Sequence, residues 1–106
     1  MDQIIIEIAN KLKFKIFEKF GTNLKIFLKE KPTPQAVLTF KNLIITVIHS
    51  KVFVNSNQIR SEYELLDDEL IDDFVWRIFK DIQLFIENPN LEYENPKPLI
   101  GKIKKS

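Results

Sequence analysis

Apolar residues recur every three to four positions along the N-terminal part of the chain, which predicts an amphipathic helix over residues 3–20. Asp2 is suited to cap its first turn, and Gly21 to end it in the left-handed conformation. The apolar stripe consists of Ile5, Ile8, Ala9, Leu12, Ile16 and Phe20. Phe14 falls on the opposite, polar side, and the pattern does not explain it. Residues 11–16 also alternate as a half-buried strand would, but the longer helical pattern is favoured.

A second amphipathic helix is predicted over residues 68–87, and Pro89 ends it. Its narrow apolar stripe consists of Ile71, Val75, Ile78, Ile82 and Phe85. The acidic residues 67–69 suit the positive end of a helix dipole. This is the clearest helical pattern in the chain.

Runs of β-branched and apolar residues between the helices predict strands over residues 23–30, 36–40, 43–48 and 51–55. Lys41-Asn42 and His49-Ser50 are suited to the tight turns of an antiparallel meander, in the first case because Asn tolerates a positive φ.

Residues 57–66 fit two interpretations. Ser61-x-x-Glu64 matches a capping box that would start a helix. The alternation of apolar or small residues at Ile59, Ser61 and Tyr63 with charged ones fits an edge strand instead.

Together these elements predict an α+β fold in the order α-β-β-β-β-α, with two helices packed on an antiparallel sheet of three to four strands. The 106 residues suit a single domain, which we expect to span residues 1–88. Residues 89–106 are expected to form a basic tail, extended and partly disordered, with prolines at 89, 96 and 98.

Composition excludes several classes of site. Without cysteine there is no disulfide, thiolate zinc site or cysteine nucleophile. With only two glycines, no glycine-rich phosphate loop can form. His49, the only histidine, is expected to be a polar turn residue rather than a catalytic base. No apolar run is long enough to span a bilayer, and the N-terminus does not resemble a signal peptide. We therefore expect a cytoplasmic protein with no enzymatic activity and no cofactor.

Charge is distributed unevenly, although the net formal charge is only +1. Residues 1–60 carry a net charge of +6, residues 61–94 one of −9, and residues 95–106 one of +4. Such polarity favours contact with a charged partner.

The leading hypothesis is protein binding by a small adaptor, inhibitor or immunity-type protein, with a homodimer as a further possibility. Trp76 projects to the polar side of the second helix, and an exposed tryptophan is typical of interface anchors. Burial of Trp76 under another part of the chain is the competing interpretation. The predicted contact surface consists of Trp76, Asp72, Asp73, Lys80 and Leu84.

Two alternative functions use other residues. Nucleic-acid binding would use Lys11, Lys15, Lys19, Lys104 and Lys105, with Lys11 on the outer face of the first helix. The presence of only two arginines disfavours it, because arginine is the usual reader of bases. A metal-dependent enzyme would use the acidic cluster Asp67, Asp68, Glu69, Asp72 and Asp73. That cluster would place Asp68 with Asp72, and Glu69 with Asp73, on one helix side, but a solvated helix face is favoured.

Overall fold

In the computed structural model, which describes residues 2–95, two helices cover one face of a six-stranded sheet. The elements are α1 (Gln3–Phe20), β1 (Phe27–Lys29), β2 (Gln35–Phe40), β3 (Leu43–Ile48), β4 (Lys51–Asn55), β5 (Ile59–Glu64), α2 (Ile71–Glu87) and β6 (Tyr93–Asn95). The predicted α+β class is confirmed, and the sheet has six strands rather than three to four. Residues 96–106, with Lys104 and Lys105, lie outside the described residues.

The strands lie in the sheet in the order of the sequence. β1 to β5 are antiparallel neighbours, and β6 pairs in parallel with β5. Because parallel neighbours need a crossover connection, α2 takes that role between β5 and β6. The two tight turns form where predicted, but positive φ falls on their first residues, Lys41 (55°) and His49 (51°), rather than on Asn42.

Two elements were predicted too long. The strand predicted over 23–30 is reduced to Phe27–Lys29, which pairs with Gln35–Val37. The ladder ends before Pro32 and Pro34, which have no N–H to donate. The helix predicted from residue 68 begins at Ile71, because the amide of Glu69 bonds the carbonyl of Leu66 in a turn.

The ambiguous segment 57–66 contains β5, so the strand interpretation is confirmed and the helix interpretation from the capping box is wrong. Ile59, Ser61 and Tyr63 are buried while the residues between them are not, which is the two-residue period of a strand. The strand is not a free edge over its first half, since β6 pairs with Ile59–Ser61.

The core lies between the helices and the inner face of the sheet, to which alternate residues of β2 to β5 point. The predicted stripe of α1 is buried, except that Phe20 is half-buried against the ring of Phe40. On α2, the flanking Phe74 is fully buried, whereas Ile71 is partly exposed. Neither helix of the described part combines the length and apolar character needed to cross a membrane.

Candidate functional site

The two helices lie side by side and run in the same direction. Nζ of Lys11 on α1 lies 2.9 Å from Oδ1 of Asp72 on α2. One turn further along both helices, Nζ of Lys15 lies 5.4 Å from the ring centroid of Trp76. The second contact lies four residues, about one turn, after the first on both helices, so the helices are parallel neighbours. A groove runs between α1 and α2 on the side away from the sheet.

The groove has a volume of about 460 Å³. Its lining consists of Asn10, Lys11, Phe14, Lys15, Asp72, Val75 and Trp76. Phe14 is 59% exposed and Trp76 is 47% exposed, whereas Val75 is buried. Two large aromatic side chains therefore stand at the surface around one apolar depression, an arrangement typical of contact surfaces.

The Trp76 side chain packs against neighbouring residues, but part of it is exposed to solvent. Its ring packs on that of buried Phe79, with centroids 6.0 Å apart, and the ammonium of Lys15 lies over the ring. Complete burial of Trp76 is therefore wrong for the described residues. Because it is the only tryptophan in the chain, its fluorescence reports directly on the groove.

Fixed charges of both signs lie at one end of the groove. The hydrogen bond from Lys11 to Asp72 raises the pKa of Lys11, and the negative charge of Asp72 raises it further. The same hydrogen bond and the charge of Lys11 lower the pKa of Asp72. With Lys15, the lining has two cationic groups and one anionic group, so the groove is apolar with a slight basic character.

The structure brings together only part of the predicted contact surface. Asp72 and Trp76 line the groove, whereas Asp73, Lys80 and Leu84 are exposed on α2 outside it. Lys80 and Leu84 follow Trp76 at intervals of four residues, so they continue the same row along the helix. The sequence prediction missed Phe14, although an aromatic residue on the polar side of a helix was itself a sign of a contact surface.

The lysines predicted to bind nucleic acid are not arranged as expected. Lys11, predicted on the outer face of α1, lies with Lys15 on the side that faces α2. Its bond to Asp72 would compete with a phosphate. Lys19 is exposed.

The acidic cluster does not form the predicted carboxylate pairs, because α2 begins only after Asp67, Asp68 and Glu69. Glu69 instead accepts two hydrogen bonds from Arg77, of 2.7 and 2.8 Å, which lower the pKa of its carboxyl. Over residues 2–95, no three acidic or histidine side chains gather closely enough to hold a metal ion.

His49 is a polar turn residue, as predicted. It lies between β3 and β4 with its side chain 64% exposed, and its Nδ1 bonds Oδ2 of Asp2. That bond ties the turn to the start of α1.

Comparison with protein-family models, with curated proteins and with solved structures gave no match. Similarity to other proteins therefore supplies no ligand, partner or activity, and the groove is the feature from which function can be argued.

Proposed function

We propose that this protein is a small non-enzymatic binding module that takes an apolar side chain of a partner protein into the groove between α1 and α2. The observation that carries the proposal is the exposure of Phe14 and Trp76 around the buried Val75. A monomer gains nothing from holding two aromatic rings in water, whereas a partner that covers them gains their burial.

The free energy gained by burying the two rings indicates how much surface the partner must cover. An aromatic side chain buries about 150–250 Å² in all, so covering the exposed halves of two rings removes roughly 200 Å² from water. At about 25 cal/mol per Å² this contributes some 5 kcal/mol. Association costs about as much or more in lost translation and rotation, so further contacts are needed. Lys80 and Leu84, along the same row of α2, are the nearest candidates on that helix.

The residues that line the groove indicate which residue types a bound partner segment has. An apolar or aromatic residue fits the depression over Val75. A neighbouring carboxylate on the partner is favoured, because the lining has one more cation than anions. We therefore expect a protein segment with an apolar anchor and an acidic flank.

Selection from a library of random linear peptides displayed on phage tests the proposal directly. We expect enriched peptides to share an apolar anchor and to shift the emission of Trp76 to shorter wavelength as the indole leaves water. Trp76→Ala and Phe14→Ala should each weaken binding at least tenfold, as anchor residues do.

Leu28→Ala is the matched control, because Leu28 is a similarly exposed apolar residue on β1, outside the groove. It should leave peptide binding unchanged. The proposal fails if no peptide is enriched, or if Trp76→Ala and Leu28→Ala affect the selected peptides equally.

A further inference from the structure

The face of the sheet opposite the helices carries a row of mostly apolar residues. By the strand register, Phe27 lies beside Val37, Val37 beside Thr46, and Thr46 beside Phe53. Ile44 and Ile48 lie on the same face of β3 as Thr46, since all three alternate with its buried residues. We call the surface formed by Phe27, Val37, Ile44, Thr46, Ile48 and Phe53 the open face.

No described helix or strand packs over the open face, because α1 and α2 both lie on the other side of the sheet. Phe27 is 56% exposed and Ile44 is 50% exposed. Antiparallel sheets with one solvated face usually have polar residues on it. Exposed isoleucine and phenylalanine at these positions are typical of a contact surface.

Charged residues surround the apolar residues of the open face. Its basic residues are Lys29, Lys51 and Arg60, and its acidic residues are Glu62, Glu64 and Glu94, all placed there by the register. Nζ of Lys51 lies 3.6 Å from Oε2 of Glu62, so these two charges compensate within one molecule. Arg60 and Glu94 are neighbours across β5 and β6.

The remaining charges are of opposite sign and far apart. Lys51 stands beside two carboxylates, those of Glu62 and Glu64, so one net negative charge is left on β5. Lys29 lies on β1 at one edge of the sheet, four strands away. The open face is thus neutral in total, with a positive side and a negative side. A surface of this kind is complementary to a second copy of itself.

We infer that the open face is the interface of a homodimer in which two sheets pack together around a two-fold axis parallel to the strands. Face-to-face sheets keep their strands within about 30° of one another, and only two two-fold arrangements do so. An axis across the strands would place each strand over itself with its ends reversed, so Glu64 would lie over Arg60 of the partner subunit, a residue that already neighbours Glu94 in its own chain. The axis along the strands places β1 over β5, with Lys29 near Glu64 of the partner subunit. We choose the second arrangement because only it gives an acidic neighbour to Lys29, whose register partner in its own chain is the neutral Gln35.

The size of the open face sets the expected affinity. Five strands about 4.8 Å apart, each rising about 3.3 Å per residue, give a face of roughly 24 by 18 Å. Two such faces bury roughly 900 Å² in total, which is less than the about 1,200–2,000 Å² of stable specific interfaces. We therefore expect a weak dimer, with a Kd on the order of 10–1,000 µM.

Sedimentation equilibrium of the full chain across that concentration range is the first test. We expect the average mass to rise from one chain towards two. Ile44→Lys should abolish the rise, because the axis passes near β3 and brings two added charges together. Leu70→Lys is the matched control, since Leu70 is 69% exposed at the start of α2, outside the open face, and it should leave the dimer intact.

Charge reversal tests the direction of the axis. Lys29→Glu and Glu64→Lys should each weaken the dimer about threefold to tenfold, as loss of one exposed ion pair with added repulsion does. The double variant Lys29→Glu/Glu64→Lys should restore the affinity to within about twofold of the wild type. Both positions are at the surface, so we expect the three charge-reversal variants to fold. They therefore test the dimer even if Ile44→Lys fails to fold.

Four results would overturn the inferred dimer or the direction of its axis. The full chain could stay monomeric throughout the range. It could form a dimer that Trp76→Ala abolishes and Ile44→Lys does not, which would assign self-association to the groove. The double charge reversal could fail to restore affinity. Finally, dimerisation could arise only after removal of residues 96–106, which would assign cover of the open face to that segment. Because the groove and the open face lie on opposite sides of the sheet, peptide selection on the groove succeeds or fails independently of whether the open face forms a dimer.

Discussion

Asp2 joins the start of α1 to the turn at His49, 47 residues away in the sequence. Its Oδ1 accepts a hydrogen bond of 2.9 Å from the amide of Ile4, which caps the helix. Its Oδ2 bonds Nδ1 of His49, which holds a positive φ in the turn between β3 and β4. One carboxylate therefore stabilises a helix end and fixes the helix against the sheet.

The stabilisation provided by Asp2 should depend on pH. The hydrogen bond from His49, together with that from the Ile4 amide, lowers the pKa of Asp2 below its ordinary value of 3.8. A carboxyl whose pKa is lowered by folding stabilises the fold above that ordinary value, and the contribution is lost as the pH falls through the folded-state pKa. We expect Asp2→Ala to lower the Tm near pH 5, and the difference from wild type to shrink towards about pH 2. Thermal melts at both pH values measure it.

Asp2→Asn separates the two bonds of that carboxylate. Asparagine caps helices about as well as aspartate does, but it has no charge to attract His49. Its Tm should lie between those of the wild type and Asp2→Ala near pH 5. A wild-type advantage that is the same at both pH values would show that the carboxylate charge has no part in the effect.

Gly21 ends α1 with φ of 74°, and a Cβ added there would meet no atom within 4 Å. The cost of Gly21→Ala therefore comes from the left-handed backbone alone, and we expect about 1 kcal/mol of lost stability. Gly21→Asn should cost less, because asparagine visits this conformation more readily. Urea denaturation of the three proteins checks the order. Equal stability of the alanine and asparagine variants would contradict the backbone explanation.

Tyr63 links β5 to α2 through its hydroxyl, which donates a hydrogen bond of 2.7 Å to Oδ2 of Asp81. Burial of the ring raises the pKa of the Tyr63 phenol, so the hydroxyl keeps its proton. We expect Tyr63→Phe to lower the unfolding free energy by about 1 kcal/mol, the net contribution of such a bond. A double-mutant cycle with Asp81→Ala measures the coupling between the two side chains. A coupling near zero would mean that Tyr63 acts only through the packing of its ring.

Arg77 holds the connection between β5 and α2 with three hydrogen bonds. Two go to the carboxylate of Glu69, and the third, of 2.9 Å, goes from Nη2 to the carbonyl oxygen of Glu64. Lysine keeps the charge but has no planar fork to make these bonds together. We expect Arg77→Lys to lower the free energy of unfolding, measured by urea denaturation, by about 1 kcal/mol. The loss is smaller than for a fully buried ion pair, because solvent reaches Arg77 and Glu69.

Arg77→Met is the matched comparison, because it keeps most of the apolar stem and removes the charge. The lysine variant should be nearly as unstable as the methionine variant. Recovery of wild-type stability by lysine would show that charge, rather than the fork geometry, matters at this position.

Local patterns were sufficient for much of the fold. α1 was predicted at its observed bounds, and β3 and β4 likewise, because helical and strand periods repeat within a few residues. The start of α2 was misplaced because Asp67, Asp68 and Glu69 suit a helix N-terminus by composition, whereas Glu69 is held by Arg77.

The sequence by itself determined most of the buried residues of the two helices and of the central strands, since periodicity assigns most apolar side chains to one face. It also placed Trp76 on the polar side of α2, but it left open whether another part of the chain buries this residue. Only the tertiary structure decided that β6 pairs with β5, that Phe14 stands with Trp76 around one groove, and that Lys11 meets Asp72. The physical reason is that these contacts join residues tens of positions apart. Their formation depends on how whole elements pack, and no period within a single element contains that information.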